Sequence, residues 1–388
     1  MKHIYLLITI FLLSFNANAG PGSYYNTIDT NKTCANFKTA LFNLISSNYT
    51  VITYDQVKTA FASTDMHKSD DGLRNIIWDM YSDNPTGPEP YEYPFTTVYP
   101  SSVSSEGDGL NREHVFPQSW FDYASTFIDP IPKSDLFHVF PSDAYVNSQK
   151  SNYPLGKVNS TPSFTSLNGS KVGFADASIG FTVYSALNNK VFEPRNEYKG
   201  DFARAYLYIV TRYEDSLPKW NSYPSTARDV LDGNKYPGLD SWILKVCVAW
   251  SKLDPPSTKE IDRNDSIFAI QGNRNPYIDY PNWVEKVFGI NGSGVCLPTA
   301  IKTAKSVEFS VFPNPANNII NIQFSNSFAE DKNATIEIID LLGQSVYQKS
   351  IQLNKESESI DVNNLSKGIY LLNIRNDGKN NVTTFVKQ

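Results

Sequence analysis

Two short segments concentrate the residues with chemical reach. The first is Asn111-Arg112-Glu113-His114-Val115-Phe116-Pro117-Gln118-Ser119-Trp120, and the second runs from Asp135 to Tyr153 with Phe137-His138, Asp143 and Asn147 inside it. Histidine is scarce, four in 388 residues. His3 falls in the N-terminal apolar segment, and His67 sits in the polar stretch Asp65-Met66-His67-Lys68-Ser69-Asp70, where a surface position is expected. That leaves His114 and His138. A neutral imidazole with an unperturbed pKa of roughly 6.5 takes up a proton near neutral pH. The Glu113 carboxylate and the Asn147 amide offer hard oxygens, which suit magnesium or calcium better than zinc. An activated water, a cation on the phosphoryl oxygens and a stabilised leaving alkoxide are what phosphodiester hydrolysis needs.

Glu113 and His114 are adjacent, and neighbours on a strand face opposite sides. A shared site therefore needs the strand to end or twist there, and Pro117 fits such an ending. Val139-Phe140-Pro141 reads as a short strand, Ser142 or Asp143 as the cap of a following helix, and Asn147 falls about one turn inside it. The order is strand, loop, strand, helix. Elsewhere the pattern predicts helices at Cys34–Ser47, Tyr54–Ser63, Gly72–Tyr81, Gly200–Tyr213, Asp240–Lys252 and Asn282–Phe288, with a proline-rich connection over Asn84–Pro100 and loops with short strands over Ser160–Asn188. Residues 20–300 thus read as one α+β domain.

The first 19 residues carry Lys2, an apolar run Ile4–Phe15 and Ala17-Asn18-Ala19, the pattern of a cleaved signal peptide too short to span a bilayer. No later segment looks transmembrane, so the mature chain is expected to be exported. Export favours a disulfide. Of three cysteines, Cys247 lies in the apolar run Trp242–Trp250 and is expected to be a buried thiol, while Cys34 and Cys296, near the two ends of the domain, are expected to pair. The formal charge of −6 counts against a long basic surface gripping nucleic acid, but leaves room for a few placed cations and a metal. Nothing signals oligomerisation, and a monomer is expected.

Beyond a linker at 301–305 the composition shifts. Residues 306–388 alternate in the manner of a small β-sandwich, with strands expected at Ile319–Phe324, Ala334–Ile339, Ser345–Tyr347, Ser359–Val362, Gly368–Ile374 and Val382–Val386. Phe312-Pro313-Asn314-Pro315-Ala316, Asp340-Leu341-Leu342-Gly343-Gln344 and Leu365-Ser366-Lys367-Gly368-Ile369-Tyr370 occur in order. This tail resembles the C-terminal sorting domain of the type IX secretion system. The resemblance implies the type IX machinery as a partner and an extracellular or cell-surface location. A carbohydrate-binding or adhesive sandwich is the other reading of the tail.

Two further segments accompany the first pair: Phe192-Glu193-Pro194-Arg195 continued by Lys199-Gly200-Asp201-Phe202-Ala203-Arg204-Ala205, and Gln271-Gly272-Asn273-Arg274-Asn275-Pro276. Together the four resemble the endonuclease I family, a branch of the ββα-metal (His-Me finger) nucleases, over most of Tyr24 to Gly289. The resemblance implies non-specific cleavage of DNA, often of RNA too, with a divalent metal: Mg2+, or alternatively Ca2+ or Mn2+. It implies Glu113 and Asn147 as metal ligands, His114 as the general base, and products with 5′-phosphate and 3′-hydroxyl ends. His138 is left as a supporting residue. The chain departs from the pattern in two places. Phe137-His138 stands where many members carry two histidines, and Phe121–Lys133 lacks the arginine that some relatives place near the scissile phosphate. Arg112, Arg195, Lys199 and Arg274 are candidates for that phosphate contact; Arg204, near Asp201 on an apolar helix, reads as structural, and Asp143 as a helix cap.

Other hydrolase signatures are missing from the sequence: there is no His-Glu-x-x-His, no Gly-x-Ser-x-Gly, no Gly-x-x-x-x-Gly-Lys-Ser/Thr and no Cys-x-x-Cys. Two alternatives to a nuclease remain, a catalytically silent secreted nucleic-acid-binding protein and a phosphodiesterase acting on another substrate.

Overall fold

The computed structural model describes residues 20–121, 130–179, 189–293, 309–324, 333–340, 344–352, 357–376 and 379–388. The expected signal peptide, the linker 301–305 and Cys296 lie outside the described residues, as does the middle of the Asp340–Gln344 motif. The chain divides into two compact units, Met1–Thr299 and Ala300–Gln388.

The larger unit is α+β. Helix α1 (Cys34–Ser46) buries Phe37, Leu41 and Ile45, a one-turn spacing that gives it one apolar stripe. Helix α2 (Tyr54–Thr64) opens with a capping box in which the Thr53 hydroxyl and the Gln56 side chain each satisfy a backbone N–H. Strands β1 (Met66–Lys68) and β2 (Asn75–Ile77) form a hairpin. This corrects the helix expected over Gly72–Tyr81. Gly72 takes a left-handed turn at φ 73°, and Ile76 and Ile77 pair with His67 and Met66 instead of continuing a helical face.

Strand β3 (Leu110–His114) pairs antiparallel with β4 (Val139–Asp143), in a register that sets Glu113 opposite Phe140 and His114 opposite Val139. The short helical turn α3 (Pro130–Lys133) precedes β4, and α4 (Ala144–Lys150) follows it without a break. Asp143 makes that junction: its Oδ1 accepts from Val146 N at 2.8 Å as the N-cap, its Oδ2 accepts from Tyr93 and from Gly107 N, and its own N–H donates to Asp79. Three strands, β5 (Phe164–Thr165), β6 (Lys171–Phe174) and β7 (Lys190–Glu193), make a second small sheet.

Helix α5 (Lys199–Arg212) is the centre of the unit. All fourteen of its residues are buried. Around it lie α1, α7 (Ser241–Leu253) and α9 (Pro276–Asp279); α8 (Thr258–Gln271) packs on α2 and α9, α10 (Trp283–Phe288) on α1, α7 and α9, and α6 (Leu217–Ser222) follows α5 in the chain. Helix α8 was not expected from the apolar pattern. It is capped by Ser257 and closed by Gly272 at φ 78°, yet Glu260, Arg263, Asn264 and Gln271 are among the residues it buries. Its inner face is largely polar, so apolar periodicity cannot reveal it.

Those buried charges are paired. Arg204 of α5, fully buried, donates to both oxygens of Glu260, at 2.7 and 2.5 Å, and to Asp201 at 3.1 Å. Its structural role is as expected. Arg263 holds Asp65 at 2.7 Å and the Val139 carbonyl of β4 at 3.0 Å, which ties α8 to the strand pair. Cys247 is a buried free thiol whose pKa burial pushes up.

The smaller unit has two antiparallel sheets. Numbering on in chain order, one holds β11 (Ser345–Gln352), β10 (Asn333–Ile339), β13 (Gly368–Asn376) and β14 (Lys379–Lys387); the other holds β12 (Ser357–Asp361), β9 (Ile319–Phe324) and β8 (Phe309–Phe312). Alternate residues Ile320, Ile322 and Phe324 of one sheet and Ile336, Ile338, Leu372 and Ile374 of the other share a core.

Removing one partner of a buried ion pair leaves an uncompensated charge. Arg204→Met should therefore lower unfolding stability by about 3–5 kcal/mol, read as a shift in the urea midpoint, and Glu260→Gln should be destabilising in the same sense.

Candidate active site

The β3–β4–α4 unit brings five of the sequence-derived residues together. His114 closes β3 with 9 % of its surface exposed. Its Nε2 lies 3.0 Å from the Lys133 carbonyl of α3. A carbonyl only accepts, so Nε2 carries the proton and Nδ1 holds the free lone pair. His138, fully buried, does the same through Nε2 to the Pro132 carbonyl at 2.5 Å. One turn of chain thus sets the tautomer of both rings, whose centroids are 5.5 Å apart.

Burial pushes His114 down to about 3, with His138 adding to the shift, and pushes His138 down to about 4. The unperturbed value expected for His114 is thereby corrected: the ring is neutral not only at pH 7 but far below it. Tyr54, at the start of α2, stacks on His114 at 5.8 Å with the planes 27° apart. On the Tyr54 ring lies the Arg112 guanidinium at 3.4 Å, which also donates to the Tyr54 carbonyl at 2.7 Å. Lys133 Nζ stands 4.9 Å from that ring. Arg112, Tyr54, His114 and Lys133 therefore form one cationic, aromatic patch.

Glu113 faces away from His114, as alternation requires. It is 2 % exposed, and Lys150 Nζ of α4 lies 2.7 Å from its Oε1. Burial raises its pKa, while Lys150 and the Tyr81 hydroxyl pull it back toward the charged form. Asn147 stands one turn before Lys150 on the same face of α4. Its Nδ2 points to the Arg112 carbonyl of β3 at 3.5 Å and to Ser142 Oγ at 3.4 Å. With the amide nitrogen engaged there, the amide oxygen is presented as an acceptor beside β3. Glu113 on β3 and Asn147 on α4 are the carboxylate and the amide that the unit carries, oxygen donors of the hard kind that magnesium and calcium take.

The other sequence candidates lie elsewhere. Arg195 bonds Glu197 at 2.9 Å, Asn84 at 2.8 Å and the Asp83 carbonyl. Lys199 holds Glu193 at 2.6 Å and Asn196 at 2.8 Å. Arg274, fully buried, holds Asp265 at 2.5 Å and Asp279 at 2.8 Å. Each is engaged with carboxylates and ties loops together. Tyr54, Lys133 and Lys150 were not singled out from the sequence. Only Lys150 left a trace there, its position three residues after Asn147 on a predicted helix; Tyr54 reaches the site by tertiary packing alone. His67, expected at the surface, is partly buried and lies 3.0 Å from Glu89 Oε1. With Asp83 and Glu89 it forms a set that could hold a metal ion.

The family model for Endonuclease I matches residues 33–282, and that for the secretion system C-terminal sorting domain matches residues 310–388. The chain is 28 % identical over 292 residues to an extracellular ribonuclease of Bacillus subtilis, covering 71 % of this chain and 83 % of that protein. It is 29 % identical over 275 residues to an extracellular ribonuclease of Bacillus amyloliquefaciens, covering 70 % and 80 %. It is 26 % identical over 147 residues to an extracellular deoxyribonuclease of Aeromonas hydrophila, covering 38 % and 50 %.

His138 supplies a pH test. Its folded pKa, about 4, lies below the unfolded value of roughly 6.5. Between those values the unfolded chain binds a proton that the folded one refuses, so stability falls as pH drops through this window. Thermal melts from pH 7 to 4.5 should fall less steeply for His138→Asn than for the wild type.

Proposed function

Because this chain belongs to the endonuclease I family, we propose that the β3–β4–α4 unit is a ββα-metal catalytic centre that hydrolyses DNA and RNA phosphodiester bonds. The chain is a secreted nuclease with a C-terminal sorting domain, and among the described residues no helix is long and apolar enough to cross a membrane. The sorting domain implies engagement of the type IX secretion machinery. The relatives include both extracellular ribonucleases and an extracellular deoxyribonuclease, which supports a substrate range covering both nucleic acids. The catalytic unit acts as a monomer.

The observation that carries the proposal is the tautomer of His114. The Lys133 carbonyl fixes the proton on Nε2, so Nδ1 is the basic nitrogen before substrate arrives. It takes the proton of the attacking water, which Arg112 and Lys133 help to hold by binding the phosphate beside Tyr54. Burial lowers the ring pKa to about 3 and so keeps Nδ1 unprotonated near neutral pH. Its weakness as a base is the cost, offset as the imidazolium forms by the phosphate's negative charge. Glu113 and Asn147 would hold the divalent metal, which when bound supplies positive charge to the phosphoryl and leaving oxygens. Lys150, 2.7 Å from Glu113, favours the charged form of that buried carboxyl and directs it toward α4. Arg195, Lys199 and Arg274 act in this reading as structural residues, held by carboxylates away from the site.

Purified mature protein should nick supercoiled plasmid with magnesium and stop with EDTA. His114→Ala should lose about 10²–10⁴-fold in kcat with its melting curve intact. Glu113→Gln and Asn147→Ala should raise the magnesium needed for half-maximal rate. Wild-type rates in His114→Ala would remove the base assignment. A wild type inert on DNA and RNA with several divalent metals would favour a silent nucleic-acid-binding protein.

A further inference from the structure

A second group of metal-ligating side chains lies outside the β3–β4–α4 unit. His67 comes from β1, and Asp83 and Glu89 come from the proline-rich segment that follows β2. One ligand atom from each lies within 4.8 Å of the other two. The segment is already docked on the β1–β2 hairpin by bonds that do not use these groups. Glu89 N donates to Asp70 at 2.8 Å, Asp70 N donates to Glu92 at 2.9 Å, and Arg74 pairs with Glu92 at 2.6 Å. The three side chains therefore converge because the backbone holds them there.

Two observations set this group apart from an ordinary surface ion pair. The Glu89 side chain is only 4 % exposed, so its carboxylate is buried while facing His67. His67 Nε2 is shielded from solvent and lies 3.0 Å from Glu89 Oε1, a contact that favours the charged carboxylate. With a ligand atom of Asp83 also within 4.8 Å of both, the three atoms are close enough to share one cation. Lys259 is the nearby cation that could neutralise the carboxylates instead. It rests on the Trp78 ring at 3.6 Å, makes no hydrogen bond through Nζ, and is driven by burial toward its neutral form.

We propose that His67, Asp83 and Glu89 form a second, structural site for a divalent transition ion of the zinc class. One imidazole nitrogen with two carboxylate oxygens and water as the fourth ligand is a tetrahedral donor set suited to zinc, whereas magnesium and calcium favour oxygen alone. The bound ion clamps the 83–93 segment to the hairpin. That segment ends at Tyr93, whose hydroxyl holds the Asp143 cap of α4, so the clamp stiffens the support of the catalytic helix without entering the chemistry.

The test uses the mature full-length protein stripped with EDTA and titrated calorimetrically with zinc chloride, then with magnesium chloride. One zinc per chain should bind and raise the melting temperature by several degrees, with a rise that grows with the logarithm of the free zinc concentration. Magnesium at the same concentration should not reproduce the rise. His67→Ala and Glu89→Gln should each weaken zinc binding by at least about 10-fold, and Glu113→Gln should leave it unchanged. Asp83→Asn serves as the third variant should His67→Ala not fold. His67→Ala should still cleave plasmid with magnesium. No zinc uptake at micromolar concentration, or equal uptake in the wild type and in both ligand variants, would overturn the site. Loss of zinc binding in Glu113→Gln alone would move the ion to the catalytic unit and also overturn it.

Discussion

Adjacent residues of a strand face opposite ways, and Glu113 and His114 are adjacent. Every other feature of the site follows from that constraint. The imidazole lies on one side of β3, against Tyr54, Phe121 and His138, with its proton fixed by the turn before β4. The carboxylate lies on the other side, against Lys150 and Tyr81. β3 ends at His114, and α4, which carries Asn147 and Lys150, starts immediately after the partner strand. Asp143 is therefore central although it carries no chemistry: it closes β4, caps α4 and anchors Tyr93 and Gly107.

Below this unit the domain uses a polar framework where an apolar one might have been expected. Asp135, fully buried, accepts from Tyr208, Tyr213, Gln271 and the Phe137 N–H, which fixes the chain between α3 and β4. Arg263 joins Asp65 to the β4 carbonyl, and Arg204 joins α5 to α8. Buried ionic groups of this kind are weak contributors to net stability against an apolar replacement, but they are directional. Here they fix the angle at which α8 meets β4, and hence where His138 and His114 stand.

The same division explains what could be read from the chain beforehand. Helices α1, α2, α5 and α7 carry apolar stripes or caps and were visible as such, and the strands of the second unit alternate plainly, with Phe309–Phe312 overlooked. The spacing of two segments gave the strand–loop–strand–helix order, and the resemblance to the endonuclease I family grouped Glu113, His114 and Asn147 on it, with Arg112 and His138 as candidates beside them. What periodicity could not show was anything held by polar contacts: α8, whose inner face is charged, and the environment of Tyr54 beside His114. Ile76 and Ile77 misled in the other direction, because apolar residues in a short run fit a helix or a hairpin equally well until Gly72 imposes the turn. The low pKa of His114 was likewise out of reach, since desolvation depends on what packs around the ring.

A helix enclosed on every side has a consequence for how the larger unit fails. Every residue of α5 is covered, so loss of α1, α7 or α9, which pack on it, exposes the centre. Openings large enough to admit a protease are then close in free energy to unfolding of the whole unit. For a secreted protein, that burial leaves the exposed loops and turns as the sites most open to a protease.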